Sequence, residues 1–314
     1  MLTIRLFGTG EAKYFDRQLH GFPYHKACLL FCYLLINRKS PQTREKIAAA
    51  FWGDSSGLTA RKNLRHALWD LRQTLQSAGA LPDDYLLSSE NHIMFLNSGD
   101  YWLDIEVFEA AIDSCQFLSG EEISEECASR LEEAVDLYTG DLLESNYEDW
   151  CLYDREWLRS LYLKALSKLL RFHSITGDYE RGLYYGHRLL AKEPTSELVH
   201  RQVICLHWLL GDRTSALAQY HHCRQILRDE LGVSPMEETR QLFEQMKGGQ
   251  VDTIGQVMQY TLGLSPRYDK AKKQALSSEY LLDKLHKLQQ TIEKSRIELR
   301  QLEQLIHQSF PGSQ

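Results

Sequence analysis

The segment ARKNLRHALWDLR, residues 60–72, decides the fold expected for the first part of this chain. Its leucines, together with the next one in the sequence, are spaced by four, three and four residues: Leu64, Leu68, Leu71 and Leu75. This spacing places all four on one side of a helix, which we expect to run from about Thr59 to Ser77. The sequence therefore predicts a long amphipathic helix with a buried leucine stripe.

The opposite side of this helix is rich in basic and aromatic residues: Arg61, Lys62, Arg65, His66, Trp69 and Arg72. Arginine and lysine side chains bind guanine edges in the DNA major groove or neutralise phosphates. The N-terminal part of a recognition helix meets the bases, so Arg61, Lys62, Arg65 and His66 are candidates for base contacts and Arg72 for a phosphate contact. A merely solvated basic helix would show the same pattern. Trp69 is expected either to pack beneath a neighbouring hairpin or to touch a sugar.

The sequence also predicts strands and helices before the amphipathic helix and a hairpin after it. Short alternating strands are expected at residues 2–6, 12–14 and around Leu19, followed by an apolar helix from Pro23 to about Asn37. Thr43 is expected to cap a second helix that ends at Trp52. Residues 85–88 and 92–96 flank a turn and predict a hairpin. Strands, three helices and a closing hairpin predict an α+β winged helix.

The charge distribution separates this region from the next part of the chain. The whole chain has a formal net charge of −7. Residues 1–80 nevertheless contain twelve Lys and Arg against five Asp and Glu, whereas residues 101–150 contain fifteen acids and the single base Arg130. The asymmetry favours a module that binds a polyanion joined to one that does not. Domains that differ only in surface charge are the alternative.

From Leu103 onward the sequence predicts helices, with an internal repeat. Gly177-Asp178 and Gly211-Asp212 lie 34 residues apart, which is the period of a tetratricopeptide helix pair. Within this region aromatic and imidazole side chains are dense, and four of them are candidate partner or effector contacts: Tyr184, His187, Trp208 and Tyr220. Packing between helices explains most such residues equally well.

The last part of the chain contains two further features. A basic segment over 248–278 includes Arg267, Lys270, Lys272 and Lys273, which could bind an anionic effector or DNA, or belong to a solvated linker. Apolar positions then recur at heptad spacing from Leu281 to Ile306, interrupted at Ser295. This pattern predicts either a dimerising coiled coil or a helix that folds back on its own repeats.

Catalytic and metal-binding motifs are not expected in this chain. Gly8-Thr9-Gly10 lacks the later residues of a phosphate-binding loop, and neither the Cys28–Cys32 pair nor His221-His222-Cys223 has zinc-ligand spacing. The first residues do not form a signal peptide, and the longest apolar run is too short to cross a membrane. Seven cysteines without an export signal indicate free thiols, so we expect a cytoplasmic protein without a cofactor.

Several motifs together resemble a known family. Ala27–Leu35, the segment TREKI at 43–47, Phe51-Trp52 and Ala60–Leu68 resemble the OmpR-like winged helix of SARP-type bacterial activators. Trp102-Leu103-Asp104, AVDLYTGDLL at 134–143, Asp149-Trp150 and ELGVSP at 230–235 are similar to the bacterial transcriptional activation domain. The resemblance covers about residues 1–246.

The resemblance implies a DNA-binding activator with a tetratricopeptide-like domain, in which the loop from Gly53 to Leu58 contacts RNA polymerase. Arg44, in the second helix, and Asn91 and His92, at the tip of the hairpin, join the candidate DNA contacts. The turn at residues 89–92 contains Glu90 and no Lys or Arg, in which it departs from the family pattern. This difference argues against a strong contact between the turn and the minor groove. The chain also shows no ATPase segment after the repeats.

We therefore expect a winged-helix domain at 1–100, a tetratricopeptide-like activation domain at 101–247, a linker at 248–278 and a coiled-coil-like helix at 279–310. The expected function is a sequence-specific regulator of transcription, with double-stranded DNA and RNA polymerase as partners. It is expected to form a homodimer through residues 281–306, and its repeats could take a small-molecule effector. The alternative is a protein-interaction adaptor or ligand receptor whose winged helix does not bind DNA.

Overall fold

The computed structural model describes residues 1–116, 118–120 and 122–249. The strands are β1 (Leu2–Arg5), β2 (Glu11–Tyr14), β3 (Arg17–Gln18), β4 (Gln42–Thr43), β5 (Leu86–Ser88), β6 (His92–Phe95) and β7 (Tyr101–Leu103). The helices are α1 (Lys26–Ile36), α2 (Arg44–Trp52), α3 (Gly57–Ala78), α4 (Asp104–Ser114), α5 (Glu125–Leu137), α6 (Leu152–Thr176), α7 (Tyr179–Lys192), α8 (Glu197–Leu209), α9 (Arg213–Ile226) and α10 (Glu237–Lys247). A mixed α+β region is thus followed by a helical one.

The first region is built on two small sheets. One has the strand order β3-β2-β1-β7, and the other has the order β4-β6-β5. The three early strands and the β5–β6 hairpin are confirmed. β7 was not predicted from the sequence, which places helices from Leu103 onward: this strand pairs parallel with β1, Leu2 opposite Tyr101. Strands that pair in parallel are far apart in the sequence, so no local sequence pattern predicts this pairing.

Helices α1, α2 and α3 occupy the predicted places, with two corrections. α1 begins at Lys26 rather than at Pro23, because residues 21–25 form a turn in which His25 N–H donates to the Gly21 carbonyl at 2.9 Å. α3 begins at Gly57, so the expected loop from Gly53 to Leu58 ends at Ser56. The predicted Thr43 cap of α2 is confirmed: its hydroxyl accepts a hydrogen bond from Lys46 N–H at 3.2 Å.

The helical region stacks consecutive helices from α6 to α9. Gly177 ends α6 and Gly211 precedes α9, both with positive φ that only glycine adopts easily. The next residues, Asp178 and Asp212, cap α7 and α9 through the N–H groups of Arg181 and Ser215. The 34-residue period of the sequence therefore corresponds to two successive helix pairs, α6–α7 and α8–α9.

Strand β1 and helix α4 are joined by the buried carboxylate of Asp104. Its Oδ2 accepts hydrogen bonds from the N–H groups of Leu6 at 2.8 Å and Phe7 at 3.0 Å, and its Oδ1 accepts one from Ile105 N–H. Burial raises the pKa of this carboxyl, and the three N–H donors act in the opposite direction. One hydrophobic core continues from Leu2 in β1 through the helices to Leu206 in α8.

The cysteines differ from the expectation of seven free thiols. Cys115, at the end of α4, and Cys127, in α5, form a disulfide with Cα atoms 6.3 Å apart. They meet because α4 and α5 pack side by side, which the sequence spacing of twelve residues does not indicate. The other five cysteines are buried and form no disulfide within the described residues.

Two predicted features fall beyond Gly249. The basic residues Arg267, Lys270, Lys272 and Lys273 and the heptad helix at 279–310, with its seam at 281–306, lie outside the described residues. Within the part of the chain that is described, no helix combines the length and apolarity needed to span a bilayer.

We expect Asp104→Ala to lower the free energy of unfolding by about 2–4 kcal/mol, because it leaves the buried N–H groups of Leu6 and Phe7 without an acceptor. Urea unfolding followed by circular dichroism measures the loss. Asp113→Ala, an exposed position on the same helix, is the control and should change stability by less than about 0.5 kcal/mol. Equal effects of the two substitutions would contradict this role of Asp104.

The buried imidazole of His200 in α8 gives a second prediction, on pH. Its Nε2 is 2.8 Å from the Pro194 carbonyl and its Nδ1 is 2.7 Å from Gln219 Nε2, an arrangement that suits the neutral ring. Burial lowers its pKa from the ordinary value of 6.5, the Pro194 carbonyl raises it, and nearby His222 and Glu197 have opposing effects.

Because folding favours the neutral ring of His200, its contribution to stability is complete above pH 6.5 and decreases as the pH falls through and below that value. We therefore expect the stability difference between wild type and His200→Gln to shrink between pH 8 and pH 5.5. Denaturant titrations of both proteins across this range provide the measurement. A difference that stays constant with pH would refute the assignment of a neutral ring.

Candidate nucleic-acid interface

Helix α3 forms as the leucine spacing predicts. Leu64, Leu68, Leu71 and Leu75 are buried beneath it. Ser56 caps its start through Thr59 N–H, and Gly79 ends it in the left-handed conformation. The result is a helix of 22 residues whose inner side is fixed by the core, so its outer side has a defined orientation.

The outer side of α3 presents most of the predicted basic residues to solvent. Arg61, Lys62, Arg65 and His66 are all exposed. Trp69 is 59% exposed and its ring lies 6.1 Å from that of His66, so the expectation that it packs beneath the hairpin is wrong. The face combines cations with an exposed aromatic ring, as predicted.

Ion pairs within the protein divide the four basic candidates into two groups. The Arg61 guanidinium lies 3.3 Å from Glu45 Oε1, and His66 Nδ1 lies 2.9 Å from Asp70 Oδ2. By contrast, neither Lys62 nor Arg65 has a side-chain partner among the residues that the structure describes. Exposed pairs are weak and exchange readily, but Lys62 and Arg65 present their charge without a competing carboxylate from the described part of the chain.

Arg44 and Arg72 are placed differently from the other candidates. Arg44 donates to the Ser89 carbonyl at 3.0 Å and to Ser88 Oγ at 2.7 Å, which ties the start of α2 to the hairpin. Arg72 is half-buried and pairs with Asp83 at 2.7 Å. Arg44 therefore uses two of its five N–H groups to hold the hairpin, and Arg72 is held in an ion pair.

The hairpin of β5 and β6 stands beside α2 and exposes its tip. Asn91 and His92 are exposed there, and the Asn91 carbonyl accepts a hydrogen bond from Arg44 N–H at 3.0 Å. β6 also pairs with β4, His92 opposite Thr43, which fixes the hairpin relative to the start of α2. The two predicted tip residues are thus close to the basic helices but contribute no fixed positive charge.

Two amides near this face were missing from the sequence prediction. A cleft of about 560 Å³ separates the start of α1 from the flank of α3 and is lined by both Asn63 and Gln73. Carboxamide side chains pair with adenine edges. Gln73 continues the i, i+4 row of Arg65 and Trp69, and Asn63 lies three residues before His66, so helical spacing was a usable signal for both amides.

The side of α1 and α2 that faces the helical region is held by ionic and aromatic contacts. Lys26 Nζ lies 2.6 Å from Glu148 Oε1, and Arg38 Nη2 lies 2.7 Å from Glu109 Oε2. The Trp150 ring stacks on Phe51, with centroids 5.3 Å apart. These contacts join α1, the residue Arg38 just after it, and α2 to the acidic segment.

The four effector candidates of the helical region do not form one site. Tyr220 is 7% exposed and stacks on Phe243 at 4.0 Å, so it packs α9 against α10 and its selection as a partner contact is wrong. The Tyr184 hydroxyl accepts from Arg188, which also donates to Asp136 and the Val135 carbonyl. His187 lies beside His207, and half-buried Trp208 contacts Arg213.

Comparison with known proteins shows which families and proteins this chain resembles. The model of the bacterial transcriptional activator domain matches residues 103–247, from the end of β7 to the end of α10. The transcriptional regulatory protein MoaR1 of Mycobacterium tuberculosis is 24% identical over 229 residues, which cover 72% of each chain. MoaR1 of Mycobacterium bovis matches with the same values.

The fold has a solved counterpart. The structure of Mycobacterium tuberculosis EmbR in complex with a low-affinity phosphopeptide superposes with a TM-score of 0.59 and 18% identity, over 83% of this chain and 68% of that one. At this level of identity the match shows the fold. The family model over residues 103–247 and the MoaR1 relatives support a transcriptional regulator of the SARP type.

Proposed function

We propose that this regulator binds DNA sequence-specifically and that α3 is its recognition helix in the major groove. The observation that carries the proposal is the outer face of α3, where Lys62 and Arg65 are exposed without a carboxylate partner among the described residues. Such side chains reach guanine edges or phosphates without first breaking an internal pair.

The elements around α3 support the same proposal. α1, α2 and α3 with the β5–β6 hairpin have the order of a winged helix, in which the second of two adjacent helices enters the groove. The hairpin then acts as the wing, and its tip residues Asn91 and His92 face the backbone of the DNA. Arg44 holds the wing at a fixed distance from α2 through Ser88 and Ser89.

Contacts to DNA divide by position along α3. Arg65 and Lys62, near the N-terminal half of the helix, read base edges, and Asn63 on the flank adds a carboxamide. Arg61 and His66 join when DNA displaces their exposed carboxylates, Glu45 and Asp70. Arg72 remains paired with Asp83 and positions the helix end rather than contacting phosphate.

We propose a division of the chain into two functional parts. We propose that residues 1–100 act as the winged helix, with β7 adding a strand from the adjoining segment, and that residues 101–247 act on partners through tetratricopeptide-like helix pairs. We propose RNA polymerase as one partner, through the segment from Gly53 to Leu58, in which Leu58 is exposed at the start of α3. Dimerisation through 281–306 and a cytoplasmic location remain proposals from the sequence.

The experiment that tests the function is selection of bound genomic fragments with the purified full chain, followed by anisotropy titration of the best site over a range of salt concentrations. Steep salt dependence with a preferred sequence supports DNA recognition, since each phosphate contact releases counterions. Weak binding without sequence preference would favour the adaptor function, with the repeats as the active part.

We expect Arg65→Ala to weaken binding to the selected site by about 1–3 kcal/mol and to relax the preference at one base position. Arg65 has no internal partner among the described residues, so this loss reports on DNA alone. Lys247→Ala, at an exposed position at the end of α10, is the matched loss of one positive charge and should leave both properties unchanged. Binding by Arg65→Ala that matches wild type in affinity and specificity would remove α3 from the recognition role.

A further inference from the structure

A second basic surface lies in the helical region, away from α3. A cleft of about 560 Å³ opens between α6 and the ends of α4 and α5. Its floor is apolar and is formed by Ile112, Leu131, Leu161 and Ala165, with the half-exposed Trp157 at one end. This volume lies within the range of about 300–1,000 Å³ that is usual for small-ligand sites.

Three cations line the same cleft at helical spacing along α6: Lys164, Lys168 and Arg171. The described lining residues include no Asp or Glu. This is unusual here because residues 101–150, which supply α4 and α5, contain fifteen acids and one base. The cleft is therefore a local positive site on an acidic part of the protein.

The ammonium group of Lys168 is fixed at the far wall of the cleft. Its Nζ donates to the carbonyl oxygens of Cys115 at 2.5 Å and Gln116 at 3.2 Å, where α4 ends. An ammonium has three N–H bonds, so one remains for a ligand. Burial lowers the pKa of Lys168, and the positive charge of Lys164 lowers it further by a smaller amount. A bound anion would raise this pKa again.

The apolar half of the cleft is equally well defined. Lys164 Nζ lies 5.8 Å from the centroid of the Trp157 ring, so the cation and the aromatic face are adjacent. Gly120 lies so close to α6 that a Cβ there would be 2.6 Å from Arg171 Cβ, so this glycine lies directly against the helix at the edge of the cleft. A ligand would contact apolar side chains along one side and cations along the other.

We propose that this cleft binds a small organic carboxylate with an apolar body, with its carboxylate between Lys164 and Lys168 and its hydrocarbon part against Trp157 and Leu161. The charge complementarity selects an anion, and the apolar floor selects against polyphosphates and sugars, whose polar groups would lose hydration without gaining partners. The proposal does not depend on DNA binding by α3, and it assigns a ligand class to the helical region.

The test is isothermal titration of the purified full chain with octanoate and with phenylacetate. Their amides, octanamide and phenylacetamide, serve as neutral matches of the same shape. We expect saturable binding of one carboxylate per chain, accompanied by a change in tryptophan fluorescence that Trp157→Phe removes. We expect the amides to bind at least about tenfold more weakly, because they lack the charge that pairs with the lysines.

Two substitutions test whether the carboxylate binds in this cleft. Lys164→Glu, at an exposed position that should not perturb folding, is expected to weaken carboxylate binding by about tenfold or more. Lys247→Glu makes the same change of charge on α10 and should leave binding unchanged. Thermal unfolding of both variants checks that they are folded.

Three results would overturn the proposal: no saturable binding of either carboxylate, equal binding of acids and amides, or unchanged binding by folded Lys164→Glu. None of these results bears on DNA binding by α3. Conversely, a failure of the selected-fragment experiment would leave the carboxylate site intact.

Discussion

The buried carboxylate of Asp104 is the constraint on which the arrangement of the two regions depends. It accepts hydrogen bonds from two N–H groups at the end of β1 while it begins α4, so the first strand and the first helix of the activator domain share one acceptor. The parallel pairing of β1 with β7 immediately precedes this point. Backbone donors that are buried need an acceptor, and here the acceptor comes from nearly 100 residues away.

The hydrophobic core is continuous across residue 100, so the two regions share it. Phe7 packs against Phe108 and Tyr138, and Leu143 N–H donates to the Leu6 carbonyl at 2.8 Å. Lys26–Glu148 and the stacking of Trp150 on Phe51 extend the contact to the helices that support α3. A change in the helical region therefore has a direct packing path to the proposed DNA-binding helix, through α1 and α2.

The contact between the two regions pairs some of the basic residues with carboxylates and leaves others exposed. Acidic residues of the helical region pair with the basic residues at the ends of α1, such as Arg38 with Glu109. Lys62 and Arg65, without internal partners among the described residues, lie on the outer face of α3, and a second group of cations lines the cleft along α6. Net charge conceals both sites, because the whole chain is acidic while the two clusters are local.

The sequence by itself determined the elements whose signals are local. The leucine spacing fixed α3 and its outer face, Thr43 fixed the start of α2, and the two Gly-Asp pairs fixed the period of the helix pairs. Only the tertiary structure decided which cations remain free, since Arg72 finds Asp83 and Arg61 finds Glu45 through packing. The same holds for β7, the Cys115–Cys127 pair and the α6 cleft, because each joins segments whose proximity comes from long-range packing that no short pattern encodes.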